Sequence, residues 1–244
     1  MAEQVRIGFV NAGSGGGSTH MQLFQSIIPG EVVWDPQGLG LLDESTENFE
    51  IRYQVRDYGP LIEKTNAVAA ERGWDGVIMA AAPLEVMNPG LAERLDKDVN
   101  VPVTTALNAG TSALKAFGAK RVLLMTPFTE RMNARIRENL GRRGVDARTF
   151  GEFETHTQAM KLGPEEVRQR ARAALNQAGE VDAIYFQGAV LDPVPVIETL
   201  EQDAEMPVVA SNPAMLWYIL SKLGRRYSVA SYGKLLEQWP GAPN

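Results

Sequence analysis

Two nine-residue stretches place two of the chain's candidates for moving protons. Asp75-Gly76-Val77-Ile78-Met79-Ala80-Ala81-Ala82-Pro83 and Asp182-Ala183-Ile184-Tyr185-Phe186-Gln187-Gly188-Ala189-Val190 each read as an acid, a short apolar strand and a turn of small residues. Each is followed by a further acid, Glu85 or Asp192. A carboxyl just beyond such a turn can give or take a proton. It is also what the dipole of a helix favours in its first turn, with no other role. Asn11 ends the first strand pattern and is a side-chain donor for a carboxylate. The backbone N–H groups of Ala82 and Ala189, at turns expected to lead into helices, form a candidate anion hole. Ser211 and Asn212 open the last long helical stretch, where capping and ligand contact stand as equal readings. The chain has two histidines, His20 and His156. An ordinary imidazole pKa of about 6.5 suits acid–base work near neutrality.

Other chemistries are excluded. The chain has no cysteine, so it has no disulfides, thiolate metal sites or thiol nucleophiles. No His/Asp/Glu spacing suggests a metal, and no cofactor is expected. The stretch Ala12-Gly13-Ser14-Gly15-Gly16-Gly17-Ser18-Thr19 fails as a phosphate loop, because no Gly-Lys-Ser/Thr follows and Ser18 stands where a dinucleotide motif needs glycine. A mobile loop closing over the site is expected there instead. A net charge of −6 speaks against nucleic acid as partner. No run approaches the roughly 20 apolar residues of a membrane helix, and no basic-then-apolar leader opens the chain. A cytoplasmic protein with a small-molecule carboxylate partner is the expectation.

The elements that must position these residues alternate. Strands are expected at Val5–Val10, Gly76–Met79, Val101–Thr104, Arg121–Met125, Ala183–Phe186 and Pro207–Ala210, as short apolar runs between turns. Helical stripes recur between them: Met132, Ile136 and Leu140; Val167, Ala171 and Leu175; and Met215 to Leu223. Pro164-Glu165-Glu166 reads as a helix start, and Gln238 to Asn244 as a loose tail. The tryptophans read as packing residues. This pattern predicts an α/β fold of parallel sheets covered by helices.

An internal repeat divides it. Asp75 and Asp182 are 107 residues apart, Pro102 and Pro207 are 105 apart, and Gly118 and Gly224 are 106 apart. Two pseudo-symmetric half-domains are expected, residues 1–118 (with 225–244 as a candidate completion) and 119–224. Ligands would sit in a cleft beyond the carboxyl ends of the strands.

Lys120-Arg121-Val122-Leu123-Leu124-Met125-Thr126-Pro127-Phe128-Thr129 and Pro207-Val208-Val209-Ala210-Ser211-Asn212-Pro213-Ala214-Met215-Leu216-Trp217 carry a resemblance. Over roughly Val5 to Gly224 the chain resembles the Asp/Glu racemase superfamily, in the branch of maleate isomerases and arylmalonate decarboxylases. The resemblance implies a catalytic cysteine at the end of a strand in each half. Ala81 stands at the first position and Gly188 at the second, so both thiols are gone. Ala82 and Pro83 replace hydroxyl residues, and Phe128 replaces a tyrosine. His156 aligns with an asparagine that binds carboxylate in the isomerases, and Asn11 with a carboxylate-binding loop residue.

The expected function is therefore a cysteine-independent enzyme of small carboxylates or related carbonyl compounds, of decarboxylase, isomerase, lyase or hydrolase type. Its substrate contacts would include Asn11, Ala81, Ala82, Phe128, Gly188, Ala189 and Asn212. His156, Asp192 or Glu85 would move the proton. The alternative is a non-catalytic carboxylate-binding descendant. The sequence leaves the oligomeric state open, with a homodimer as the candidate assembly because dimers are common in such families.

Overall fold

A computed structural model describes residues 4–14, 20–45 and 49–242. It contains two four-stranded, all-parallel sheets flanked by helices. The first holds β1 (Val5–Asn11), β2 (Val32–Gly38), β3 (Gly76–Met79) and β4 (Val103–Thr105), in the order β2-β1-β3-β4. The second holds β5 (Arg121–Met125), β6 (Asp146–Arg148), β7 (Ala183–Phe186) and β8 (Val208–Ala210), in the corresponding order β6-β5-β7-β8. With the first sheet come helices α1 (His20–Ser26), α2 (Phe49–Arg52), α3 (Gly59–Arg72), α4 (Ala82–Met87), α5 (Leu91–Asp98) and α6 (Ala106–Ala116). With the second come α7 (Glu130–Arg142), α8 (His156–Ala159), α9 (Pro164–Ala178), a 3-10 turn (Val194–Val196), α10 (Ile197–Ala204), α11 (Ser211–Lys222) and α12 (Lys234–Gln238).

The repeat holds at the level of single hydrogen bonds. Arg6 N–H donates to the Asp75 carboxylate at 2.7 Å, and Asp75 N–H returns a bond to the Arg6 carbonyl at 2.8 Å. Arg121 and Asp182 make the same pair at 2.8 and 2.7 Å. Val77 donates to the Pro102 carbonyl and Ile184 to that of Pro207, at 2.8 and 3.1 Å. The two aspartates thus fix the start of each inner strand, which is buried at every position. Burial on both faces is why these strands read as apolar runs rather than alternating ones.

The six expected strands are present, three at the expected bounds and three with ends shifted by one or two residues. Two strands escaped the sequence reading, and both are sheet edges. β2 carries Asp35, Pro36 and Gly38, which an edge tolerates because one side of its backbone pairs with nothing. β6 is Asp-Ala-Arg with exposed ends. The α7 stripe is buried as expected, at Met132, Ile136 and Leu140; on α9 Val167 and Ala171 are buried with Ala174 and Ala178, while the expected Leu175 is only partly buried. Glu166 accepts the Gly163 N–H at 2.7 Å, so the start of α9 is held by its own acid.

By contacts the chain forms two compact units, 1–108 with 219–225, and 109–218 with 226–244. The last turn of α11 and the residues after it therefore belong with the first sheet, where Ile219 and Leu223 lie against Gly76. From Ala109 onward α6 belongs with the second sheet. A Cβ on Gly110 would lie 2.1 Å from the Tyr185 hydroxyl, so only glycine fits there. The expected loose tail is a correction. Trp239 is 3% exposed, and the Trp217 indole N–H donates to the Pro240 carbonyl at 2.9 Å, so burial of two large rings anchors it. The expected mobile loop lies largely outside the described residues.

Candidate active site

Each inner strand ends in the same backbone plan. The last ladder bond runs from Ala80 N–H to the Val10 carbonyl in one sheet, and from Gln187 N–H to the Met125 carbonyl in the other, both at 2.8 Å. The next residue then swings to positive φ: 78° at Ala81 and 115° at Gly188. These are the two positions at which the resemblance implies thiols. Ala81 is strained there, because its Cβ disfavours that conformation. Gly188 is not strained, but it is closed over. A Cβ on it would lie 2.7 Å from Pro127 Cδ and 3.4 Å from the Phe128 ring.

In unit 1, Ala82 opens α4 and Pro83 occupies its first turn, as expected. Glu85 lies on this helix, 3% exposed, and its carboxylate accepts the Thr105 hydroxyl from the end of β4. Asn11 ends β1. Its Oδ1 accepts the Gly13 N–H at 3.0 Å, which turns the amide Nδ2 into the donor available to a ligand. Ser14 follows, and its N–H donates to Glu44 at 2.7 Å.

In unit 2 no helix begins at Ala189, contrary to expectation. Residues 188–191 form a turn and bends, followed by the 3-10 turn and α10. Pro193 and Pro195 remove two N–H donors, and Pro193 disfavours helical geometry at Asp192 before it. Asp192 is therefore not an acid of a first helical turn. It is half-buried, and it accepts Val194 N–H at 3.0 Å and the Asn212 amide at 2.8 Å. Burial pushes its carboxyl up to about 6, and those two hydrogen bonds pull the other way.

Ser211 and Asn212 do not cap α11. Asn212 holds Asp192. The Ser211 hydroxyl accepts Gly188 N–H at 3.2 Å and faces the Phe186 carbonyl and Gln187 Oε1. That engagement leaves Ala189 to supply the N–H donor at this strand end. Phe128 is 7% exposed, in a turn set by Thr126, whose hydroxyl bonds Asn133 and accepts the Phe128 N–H. His156 opens the four-residue α8 and is partly exposed. Its segment is tied to Phe128 through the Phe153 N–H, 3.4 Å from the Phe128 carbonyl.

Thr105 and Gln187 were missed in the sequence. The signal for Thr105 was present. It follows Glu85 by 20 residues, just as Asn212 follows Asp192 by 20. Gln187 gave none, being read only as part of a strand end. Among the described residues no group of three or more His, Asp or Glu could hold a metal ion, and no helix is long and apolar enough to cross a membrane.

A family model described as arylmalonate decarboxylase matches residues 27–236. Maleate isomerase of Alcaligenes faecalis is 25% identical over 144 residues, 58% of this chain and 56% of that enzyme's length. Arylmalonate decarboxylase of Bordetella bronchiseptica is 24% identical over 214 residues, 82% and 85% of the two chains. The solved structure of unliganded arylmalonate decarboxylase matches at a TM-score of 0.78 and 19% identity, covering 96% of this chain and 100% of that one. Nocardia farcinica maleate cis-trans isomerase holding a covalently bound succinylcysteine intermediate matches at 0.74 and 23%, covering 96% and 98%. At these identities the structural likeness is one of fold.

Proposed function

The chain belongs to the arylmalonate decarboxylase family, and from that premise we propose that it is an enzyme of small carboxylates or related carbonyl compounds that works without cysteine. Decarboxylation, isomerisation and elimination share one need, a group that gives a proton to the carbon beside a carboxylate or removes one. Hydrolysis falls under the same reading only through the oxyanion.

The observation that carries the reading is Asp192. Four residues past the vacated thiol position Gly188, its carboxyl titrates at about 6. Near neutrality both its forms are then populated, which is what proton transfer requires. In a decarboxylation, the bond between the α-carbon and the departing carboxylate breaks. Carbon dioxide leaves, its bonding pair stays as an enediolate, and protonated Asp192 passes its proton to the α-carbon. In proton abstraction, the Asp192 carboxylate takes the proton and the same enediolate forms. The Ala189 N–H is the candidate anion donor of unit 2, and Asn11 Nδ2 and the Ala82 N–H are the separate candidate donors of unit 1. His156 is the weaker candidate, because it is partly exposed on a four-residue helix.

One observation favours a second reading, carboxylate binding without turnover. Pro127 and Phe128 close over Gly188, so the space that a thiol would fill is taken. A panel of malonates, maleate and cyclic amides, assayed with the wild type, Asp192→Asn and Asn11→Ala, separates the two. Turnover that fails in Asp192→Asn supports the enzyme. Thermal stabilisation by a panel member with no turnover of any supports the binder.

A further inference from the structure

Gln187 ends the inner strand of the second sheet, one residue before Gly188, and its side chain is fully buried. Its Oε1 accepts from the Tyr185 hydroxyl and faces Ser211 Oγ at 3.1 Å, while its Nε2 has no hydrogen-bond partner among the described residues. That buried amide nitrogen is left with its desolvation uncompensated among the described residues. A methionine of similar length would fill the same volume without the orphaned amide nitrogen, but it would take the acceptor from the Tyr185 hydroxyl, so the glutamine is held for its polar contacts rather than its packing.

The polar chain leads to the turn that carries the acid. Gln187 meets Ser211, and Ser211 accepts the Gly188 N–H. The adjacent Asn212 holds the Asp192 carboxylate. Two neighbouring residues at the start of α11 thus grip the first and last residues of the 188–192 turn. We infer that Gln187 is a positioning residue. It sets the Ser211 hydroxyl, and through it fixes the turn that presents Asp192. This rests on the reading of Asp192 as proton carrier. Besides burial, the groups acting on the Asp192 carboxyl are the Val194 N–H and the Asn212 amide. A shift of the turn will therefore register in its titration.

The test is Gln187→Met, read by thermal melting, by steady-state kinetics on the panel and by the titration midpoint of the Asp192 carboxyl carbon in NMR. The melting temperature should stay within a few degrees of the wild type, the relieved amide offsetting the acceptor lost by Tyr185. The kcat should fall roughly tenfold or more with KM nearly unchanged, as loss of orientation predicts. The Asp192 midpoint should move by roughly half a pH unit or more. Tyr185→Phe, which keeps the ring and removes one bond to Gln187, should move the midpoint in the same direction by less. If Gln187→Met does not fold, the Tyr185→Phe midpoint decides. Wild-type kcat and an unmoved midpoint overturn the assignment, whatever the melting temperature does. If the wild type turns over nothing in the panel, the enzyme reading fails, while the midpoints still decide the positioning claim.

Discussion

The two strand-end turns have one backbone and two different fates. In each, the inner strand makes its last ladder bond, the next residue takes positive φ, and an acid follows four residues later. A side chain 20 residues further on binds that acid. Yet Glu85 lies on a helix and accepts a hydroxyl in a nearly sealed environment. Asp192 lies on an irregular, proline-flanked turn, half-buried and held by an amide, with its carboxyl pushed up to about 6. On the proposed reading, the same repeat holds one acid as a structural group and sets the other for proton transfer.

The largest expected effect separates these roles. Asp192→Asn should lower turnover by about 100-fold or more, the usual worth of a general acid or base. Glu85→Gln should leave kcat within about tenfold, and it should instead cost about 1–3 kcal/mol of stability, as a buried side-chain hydrogen bond is altered. Equal losses of turnover in both variants, measured on the same substrate, would erase the distinction.

The vacated positions should differ as well. Gly188→Ala places a Cβ 2.7 Å from Pro127 at a φ of 115°, and it should destabilise by about 2–3 kcal/mol in urea unfolding.

A pH series sharpens the contrast. An unfolded aspartate titrates near 3.9, and folded Asp192 at about 6. Folding therefore takes up a proton between those values. The stability contributed by the protonated form is complete below about pH 4 and is lost as pH rises through 6. Asp192→Asn does not titrate. It should match the wild type near pH 4 and exceed it by about 1–3 kcal/mol at pH 7. A constant difference across that range would mean that the carboxyl is not raised.

The smallest effect concerns Ala81. Ala81→Gly relieves a non-glycine residue at φ 78° and should stabilise by about 1 kcal/mol. A loss of stability would show that the turn in unit 1 is not strained.

Much of this was legible in the sequence. The inner strands, the helical stripes and the 107-residue repeat follow from burial on both faces, which writes itself as apolar runs. The edge strands β2 and β6 did not, since an edge is free to carry Asp35, Pro36 or an Asp-Ala-Arg triplet. The helix expected at Ala189 failed because the weight of Pro193 and Pro195 went unread. Asp192 and Glu85 could be named but not ranked, since burial and hydrogen-bond partners are set by the fold. Gln187 could not be found at all, because an unsatisfied amide is a property of its surroundings.

The most direct test of the central claim is the pH dependence of turnover on a panel substrate, wild type beside Asp192→Asn. The account predicts a wild-type inflection at about pH 6 that disappears in the variant, along with most of the rate. An Asp192→Asn enzyme with the wild-type rate and the same inflection would contradict it.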